Sequence, residues 1–406
     1  MTEFTKIEAF STFHVPDFDI AINDGPPDER LRFDVVDVSY SDAMGEFDSF
    51  EISLMDWDPV RLEPVYSSPW DEAGKVKTYA GRSGDIPIPI LEPGTILTLR
   101  MFYRDDHVDA GPGKEPEVML RGRVASLSTS FPAGGVPVAK VRVLSPLNYL
   151  GRKKLTSSDT AVGGLIDLIS EVCDQIGIGL DTSGVPAEIL QAEEGKDAPK
   201  HEIEKKDANV VLNEAITKLG LVSRVEKGAA GDVLVLATPA DFKLSMTWGR
   251  TLLTFSPKVS TAGLSKAVQI MVEDPLASDA AGQKKEVVKT LTDLPGFKAD
   301  VLGPGVLDTI LGELPDDPEK IENPTLYQIK NPEAAVMNRL REMAQQIVTG
   351  SGQTVGLPQL RKGAKVELLG LGPKFSGIYE VTKSTHAIGG SGYTTSFDAR
   401  KEIFDD

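Results

Sequence analysis

Leu360-Arg361-Lys362-Gly363-Ala364-Lys365-Val366-Glu367-Leu368-Leu369-Gly370 opens the last part of the chain. It is followed by Phe375-Ser376-Gly377-Ile378-Tyr379-Glu380-Val381, then by Ser384, His386, Gly392-Tyr393-Thr394-Thr395-Ser396-Phe397 and Arg400. The spacing predicts three strands, over 365–369, 378–386 and 393–400, joined by glycine turns. Gly370-Leu371-Gly372 with Gly377 is rich in glycine. It lies between two strands and does not open a helix, so it reads as a turn and not as a dinucleotide cradle.

Working upstream, strand-like runs recur at Leu252 to Phe255 and Ala267 to Val272. Between them and the closing strands, Asp274 to Pro324 is rich in Pro, Gly, Asp and Lys and reads as an inserted flexible segment. A helix follows it, with Asn331 as cap, Pro332 at the first helical position and Glu333 in the first turn. Its apolar face is Val336, Leu340, Met343, Ala344 and Ile347.

The middle of the chain has helical periodicity. Ser157, Ser158 and Asp159 offer caps, and Val162, Leu165, Ile166, Ile169, Val172, Cys173 and Ile176 recur at helical spacing up to Gly177. A polar stretch from Gln191 to Lys206 reads as a loop. Asp207 then caps a second helix carrying Val211, Leu212, Ala215, Ile216 and Leu219, with Gly220 as its stop. Leu221 to Val225 and Val233 to Ala237 predict a hairpin around Gly228 and Gly231. This piece is a small α+β domain.

The first part reads as strands and loops. Phe50 to Leu54 alternates, and Pro93-Gly94 introduces a β-rich run from Thr95 to Tyr103. Val118 to Phe131 forms a long second run, with Gly122 as a bulge or a close-approach point. Gly134-Gly135 turns it into Val138 to Leu144. The expected class is α+β, mainly β, with strand-rich parts of barrel or sandwich type on either side of the α+β piece. The boundaries expected are 1–155, 156–243 and 244–406, with an insertion at about 274–345 in the last.

Composition bounds the function. The chain has 406 residues, 43 Lys plus Arg and 61 Asp plus Glu, a net charge of −18. That length predicts more than one domain. The acidic excess argues against a nucleic-acid backbone as main partner. Cys173 is the single cysteine, so no internal disulfide forms. Its place on an apolar stripe predicts a packing role. Neither a signal peptide nor a membrane-spanning run is evident, so cytoplasmic assembly is expected.

No catalytic constellation emerges. His201-Glu202 lacks the second histidine of a zincin helix. The four histidines, His14, His107, His201 and His386, have no ligand spacing. There is neither a nucleophile elbow nor a phosphate loop. The acids Asp42, Glu46, Asp48, Glu51, Asp56 and Asp58 fit neither a calcium loop nor a recognisable glycosidase pair. No catalytic, cofactor-binding or metal residue is therefore assigned, and no cofactor is expected.

The closing segment resembles the last β-module of the phage late-control protein D family and the hub part of VgrG proteins. The shared pattern runs "G-x-x-V-x-L-x-G", then "F-x-G-x-Y-x-V", a histidine, and "G-Y-x-T-x-F-x-x-R". Gly45-Glu46-Phe47-Asp48-Ser49-Phe50-Glu51-Ile52-Ser53-Leu54, Leu120-Arg121-Gly122-Arg123-Val124 and Trp248-Gly249 with Leu252-Leu253-Thr254-Phe255-Ser256-Pro257 resemble further blocks in the same order. The resemblance implies two tube-like β-barrel modules flanking the α+β domain. It implies a homotrimer whose six modules join a six-fold tail tube to a three-fold spike. Gly363, Gly377, Tyr379, Tyr393 and Arg400 would be turn and core elements of the second barrel, with Arg400 paired to an acid.

The implied partners are further copies of the chain, a tail-tube protein, a separate spike protein, other baseplate proteins and, as an open case, effector cargo. The implied setting is a tail or injection particle. Two alternatives stay open on sequence: a tail-borne cell-wall hydrolase, and a carbohydrate- or cargo-binding module.

Overall fold

The computed structural model describes residues 5–6, 15–81, 84–104, 116, 118–156, 164–187, 189–190, 205–229, 231–238, 243–273, 284–322 and 332–404. Ser157, Ser158, Asp159, Val162, Asn331, His14, His107, His201 and most of the 191–206 stretch lie outside them.

In chain order, the first part holds β1 (Thr5–Lys6), β2 (Pro16–Ile22), α1 (Glu29–Asp34), β3 (Val35–Ala43), β4 (Ser49–Met55), β5 (Thr78–Gly81), β6 (Gly84–Pro87), β7 (Ile96–Tyr103), β8 (Val118–Ser130) and β9 (Val138–Leu144). The middle holds α2 (Leu147–Leu150), α3 (Leu165–Ile176), β10 (Gly179–Gly184), α4 (Ala208–Lys218), β11 (Val222–Lys227) and β12 (Asp232–Ala237). The last part holds β13 (Lys243–Thr247), β14 (Leu252–Val259), β15 (Ala267–Glu273), β16 (Lys284–Thr290), α5 (Val306–Glu313), β17 (Glu319–Lys320), α6 (Pro332–Ala344), β18 (Val348–Val355), β19 (Lys365–Leu369), α7 (Gly372–Phe375), β20 (Gly377–Gly389) and β21 (Gly392–Lys401).

The protein is mainly β, and one branched sheet runs through both ends of the chain. Its order is β1-β13-β19-β20-β3-β4-β9-β8-β7-β2, and β20 also carries β21, β18 and β14 on its other edge. Period-two alternation explains which face is buried. Val38 and Tyr40 on β3, Phe50, Ile52 and Leu54 on β4, and Val141 and Val143 on β9 form one core with Leu97, Leu99 and Met101 of β7. Each such side chain contributes about 1.5–3 kcal/mol when fully buried.

Gly122 is a close-approach point: a Cβ there would lie 2.6 Å from the Leu144 carbonyl oxygen. The bulges of β8 fall elsewhere, between Val124 and Ser126 against β9 and opposite Leu99/Arg100 against β7.

The middle part has its own core. Leu168, Ile169, Val172, Cys173 and Ile176 of α3 pack on Val211, Leu212, Ala215 and Ile216 of α4, above the sheet β10-β12-β11. Gly177 ends α3 at φ 79° and its N–H donates to Cys173 and Asp174 carbonyls, a left-handed cap that glycine favours. Burial pushes the Cys173 thiol up to about 12. Asp207 stands at the start of α4, but its carboxylate gives no cap bond and pairs with Lys154 at 3.1 Å. The hairpin β11–β12 matches the sequence reading, while β10, parallel to β12, carried too little apolar signal to be read.

The expected flexible insertion requires correction over residues 284–322. β16 pairs with β15 through seven successive partners, from Ala267↔Thr290 to Glu273↔Lys284, and β17 joins β15 from the other side. Leu291, Leu294, Leu302 and Leu307 are buried in one core with Val336 and Leu340 of α6. The prolines, with Gly296, Gly303 and Gly305, sit between the short elements, whereas Asp308 and Gly312 lie within α5. The leucines between them fill a core that α6 covers.

Candidate functional site

The feature that needs explaining is β20. It starts at Gly377, has thirteen residues and takes part in three ladders. Ile378 to Glu380 pair with β19, Lys383 to Ile388 pair with β3, and β21 runs along the opposite edge. A bulge between Val381 and Lys383 marks the change of partner. Thus β3, near the start of the chain, and β19, near its end, lie on the same edge of one strand.

Polar side chains meet inside this junction. Tyr40, Asp42 and Asp48 come from the first part. Leu360, Arg361, Lys362, Ser384, His386, Tyr393 and Thr395 come from the last. Tyr40, Asp42, Ser384, His386 and Thr395 are no more than 2% exposed. The Tyr40 hydroxyl donates to Asp48 at 2.8 Å. Lys362 Nζ reaches Asp48 at 2.6 Å, and its backbone N–H reaches Asp42 at 3.3 Å. Asp42 also accepts from Ser384 Oγ at 2.6 Å and Ser384 N–H at 3.1 Å. Arg361 lies over the Tyr40 ring at 5.1 Å and donates to the Val118 carbonyl at 3.2 Å. Tyr103 donates to the Gly356 carbonyl at 3.0 Å and stacks on Tyr393 at 5.6 Å.

His386 is held on four sides. Nε2 lies 3.1 Å from both the Leu360 carbonyl and Ser384 Oγ. Nδ1 lies 3.0 Å from the Tyr393 hydroxyl and 3.1 Å from Thr395 Oγ1. A carbonyl only accepts, so Nε2 carries the proton and Nδ1 accepts from the hydroxyls. Burial, with Arg361 nearby, lowers the imidazole to about 3, so it is neutral. Burial and the neighbouring Asp48 raise Asp42, and burial with both aspartates raises Tyr40 well above its ordinary value. Burial also raises Tyr393.

Asp42, Ser384 and His386 have the composition of a hydrolytic triad but not its wiring. In a triad the acid orients the histidine and the histidine takes the serine proton. Here the acid takes the serine's hydrogen bond directly, and the histidine's own proton is committed to a carbonyl. The arrangement clamps two parts of the fold and gives Ser384 no free base.

A second junction joins the first part to the middle. Arg121 of β8 donates to Asp24 at 2.7 Å and to Asp232, the first residue of β12, at 2.7 Å. Arg123 and Lys227 add contacts of 3.4 Å to Asp232 and 3.3 Å to Asp24. The Arg121 guanidinium, through its hydrogen bonds, holds Asp24 below the usual carboxylate range.

Of the residues singled out from sequence, Tyr393 lies in the main junction. Gly363, at φ 84°, borders it and donates its N–H to Val381 at 2.8 Å. Three others lie beyond it. Gly377 starts β20 at φ 136°. Tyr379 is fully buried, donates to the Phe375 carbonyl at 2.8 Å and sits edge-on to Phe255 at 5.3 Å. Arg400 pairs across the strands with Glu380 at 2.6 Å.

Asp56, one of the clustered acids, is fully buried and accepts N–H bonds from Val65 at 3.0 Å and Tyr66 at 2.6 Å. Tyr40 and Tyr103 were missed. The usable signal was a polar residue in the apolar phase of a strand, as in Val38-Ser39-Tyr40-Ser41-Asp42. Among the described residues no cluster of three His, Cys, Asp or Glu suits a metal ion, and no helix is long and apolar enough to cross a membrane.

No family model matches the sequence, and no curated protein matches it. Solved structures do share the fold. The 43 kDa tail protein of prophage MuSo2 from Shewanella oneidensis has a TM-score of 0.60 at 11% identity, covering 96% of this chain and 100% of that one. A tail protein from Neisseria meningitidis MC58 has a TM-score of 0.58 at 10% identity, covering 96% and 98%. The prophage tail protein gp18 from Listeria monocytogenes EGD-e has a TM-score of 0.51 at 9% identity, covering 95% of each chain. At these identities the likeness establishes a shared fold: this chain has, over nearly its whole length, the fold of prophage tail proteins.

Proposed function

We propose that this chain is a structural, non-enzymatic hub of a phage-like contractile tail or injection system. The observation that carries the reading is the fold shared end to end with tail proteins, 96% of this chain against 100% and 98% of theirs. In this reading residues 1–155 and 244–406 are two tube-like β modules around the α+β domain 156–243. Three copies form a ring of six similar modules and join a six-fold tube to a three-fold spike. Closed three-fold assembly of a two-module chain supplies that match of symmetries.

The junction suits the role. A hub transmits force between its halves, and β20 with its buried hydrogen bonds binds them into one sheet. Gly363, Gly377, Tyr379, Tyr393 and Arg400 then serve as turn, core and cross-strand elements of the second module. The partners are other copies, a tube protein, a separate spike and neighbouring baseplate proteins. Assembly takes place in the cytoplasm, and the finished particle carries the chain.

Light scattering on the purified protein, alone and mixed with a candidate spike protein, tests the reading. The expected mass is three times the 43.7 kDa of one chain, with a ring in negative stain. A chain that stays monomeric beside spike and tube overturns it.

A further inference from the structure

Asp48 and Lys362 reach the junction from opposite parts of the chain. They are 314 positions apart, and Lys362 Nζ lies 2.6 Å from Asp48 Oδ1. Both are anchored by their backbones. The Lys362 N–H reaches Asp42 at 3.3 Å, and the Asp48 carbonyl accepts from the Ser145 N–H at 3.1 Å. Nζ also donates to the Glu46 carbonyl at 3.2 Å, which steers it. The Lys362 side chain is 12% exposed and that of Asp48 11%, so the pair is largely withdrawn from water.

An ion pair accounts for that contact. It does not account for the groups behind it. The Tyr40 hydroxyl donates to the other oxygen of the same carboxylate, Asp48 Oδ2, at 2.8 Å, and lies 3.3 Å from Asp42. A phenol has one proton to give. With that proton committed to Asp48, the second contact closes when Asp42 carries a proton and donates it towards Tyr40. Burial and the charge of Asp48 both push Asp42 towards its protonated form.

The Asp48 carboxyl is therefore held between an amine on one oxygen and a hydroxyl, itself backed by a second carboxyl, on the other. Addition of an amine to a carboxyl carbon asks for these two things: a nucleophile in contact, and hydrogen-bond donors where negative charge develops.

We propose that Lys362 and Asp48 condense to an amide, a covalent cross-link between the first and the last part of the fold. Nζ passes one proton to Asp48 Oδ1 and, as a free amine, forms a bond to Cγ. Negative charge collects on Oδ2, where the Tyr40 hydroxyl, supported by Asp42, receives it. A second proton moves from the nitrogen to Oδ1, the Cγ–Oδ1 bond breaks, and water leaves. Both protons of that water come from the ammonium group, and its third proton stays as the amide N–H. Tyr40 and Asp42 end as they began. The reaction needs no other reactant and happens once per chain. Groups fixed in contact react as if at effective concentrations on the order of 10⁵–10⁸ M, which stands in for an activated acid. The inference does not depend on the hub reading, and a chain closed on itself from 48 to 362 suits a part that carries force.

The intact mass of the denatured protein tests it. The native chain should be lighter than its sequence requires by one water. Trypsin should release a branched peptide that joins the segments around Asp48 and Lys362. Lys362→Arg keeps the ion pair but offers no nucleophilic amine, and should have its full mass. Tyr40→Phe keeps the ring beneath Arg361 and removes the hydroxyl, so most of its chains should retain the water.

Full mass in the native chain overturns the inference. So does a lost water that survives Lys362→Arg, since dehydration at some other aspartate would then explain it. Tyr40→Phe chains cross-linked as completely as the native ones overturn the mechanism and the assignment that rests on it. Should either variant fail to fold, the branched peptide of the native chain decides alone: its presence establishes the bond, and its absence removes it.

Discussion

His386 shows what a single residue does in this fold. Its imidazole is neutral in the folded state at about 3, against 6.5 for a free histidine. Between those values the unfolded chain binds a proton that the folded chain does not, so acid favours unfolding. The stability at risk is on the order of 4 kcal/mol between pH 6.5 and 3.5. Asp42 works the other way, because its raised carboxyl takes up a proton more readily folded than unfolded. Urea unfolding from pH 7 to 4 should show stability falling with acid in the native chain. The decline should be much shallower in His386→Asn, which has no imidazole to protonate. Equal slopes would show that the imidazole is not what acid attacks.

The histidine itself was visible in the closing motif. Its direct partners, Leu360, Ser384, Tyr393 and Thr395, stand in the same motif, but their tie to the first part does not: Asp42 and Ser384 are 342 positions apart and no local pattern connects them.

At the scale of elements, the glycines of the last part explain both what could be read and what could not. β19, β20 and β21 were legible from alternation and glycine turns. β18, Val348–Val355, contains Gly350 and Gly352, which weaken any strand signal. Their purpose appears only in three dimensions: a Cβ on Gly350 would lie 2.4 Å from the Phe255 ring, and one on Gly352 would lie 2.7 Å from the Phe397 ring. Gly356 is tighter still, with Tyr393 at 2.0 Å from its built Cβ. Gly356→Ala should therefore displace Tyr393 from Tyr103 and His386 at a cost of about 2 kcal/mol, read as a lower thermal midpoint.

The joint between β8 and β12 makes a separate prediction. Arg121→Ala leaves Asp24 and Asp232 without their shared guanidinium, for a loss of about 2 kcal/mol. Amide exchange in β11 and β12 should accelerate more than in β4 and β9. Uniform acceleration would mean that the joint does not hold the middle part in place.

At the scale of the molecule, the change from the strands up to β9 to the helices α3 and α4, and back to strands, was legible because periodicity changes from two to 3.6 and back. How the two β parts meet was not legible, since the meeting is made by one strand changing partner at Val381/Lys383. The 284–322 stretch misled for a related reason: composition marked its turns, while its leucines bury in a core shared with α6, a helix later in the chain.

That same change of partner sets an order in time. β3 is made early, yet its outer edge is completed only by Lys383 to Ile388 of β20. At about 5–20 residues per second, the ribosome leaves that edge bare for about 20 to 70 s. An open edge for so long favours protection by chaperones and slow final closure. It also acts as a proof of completeness: a chain cut short before β20 cannot close its first half.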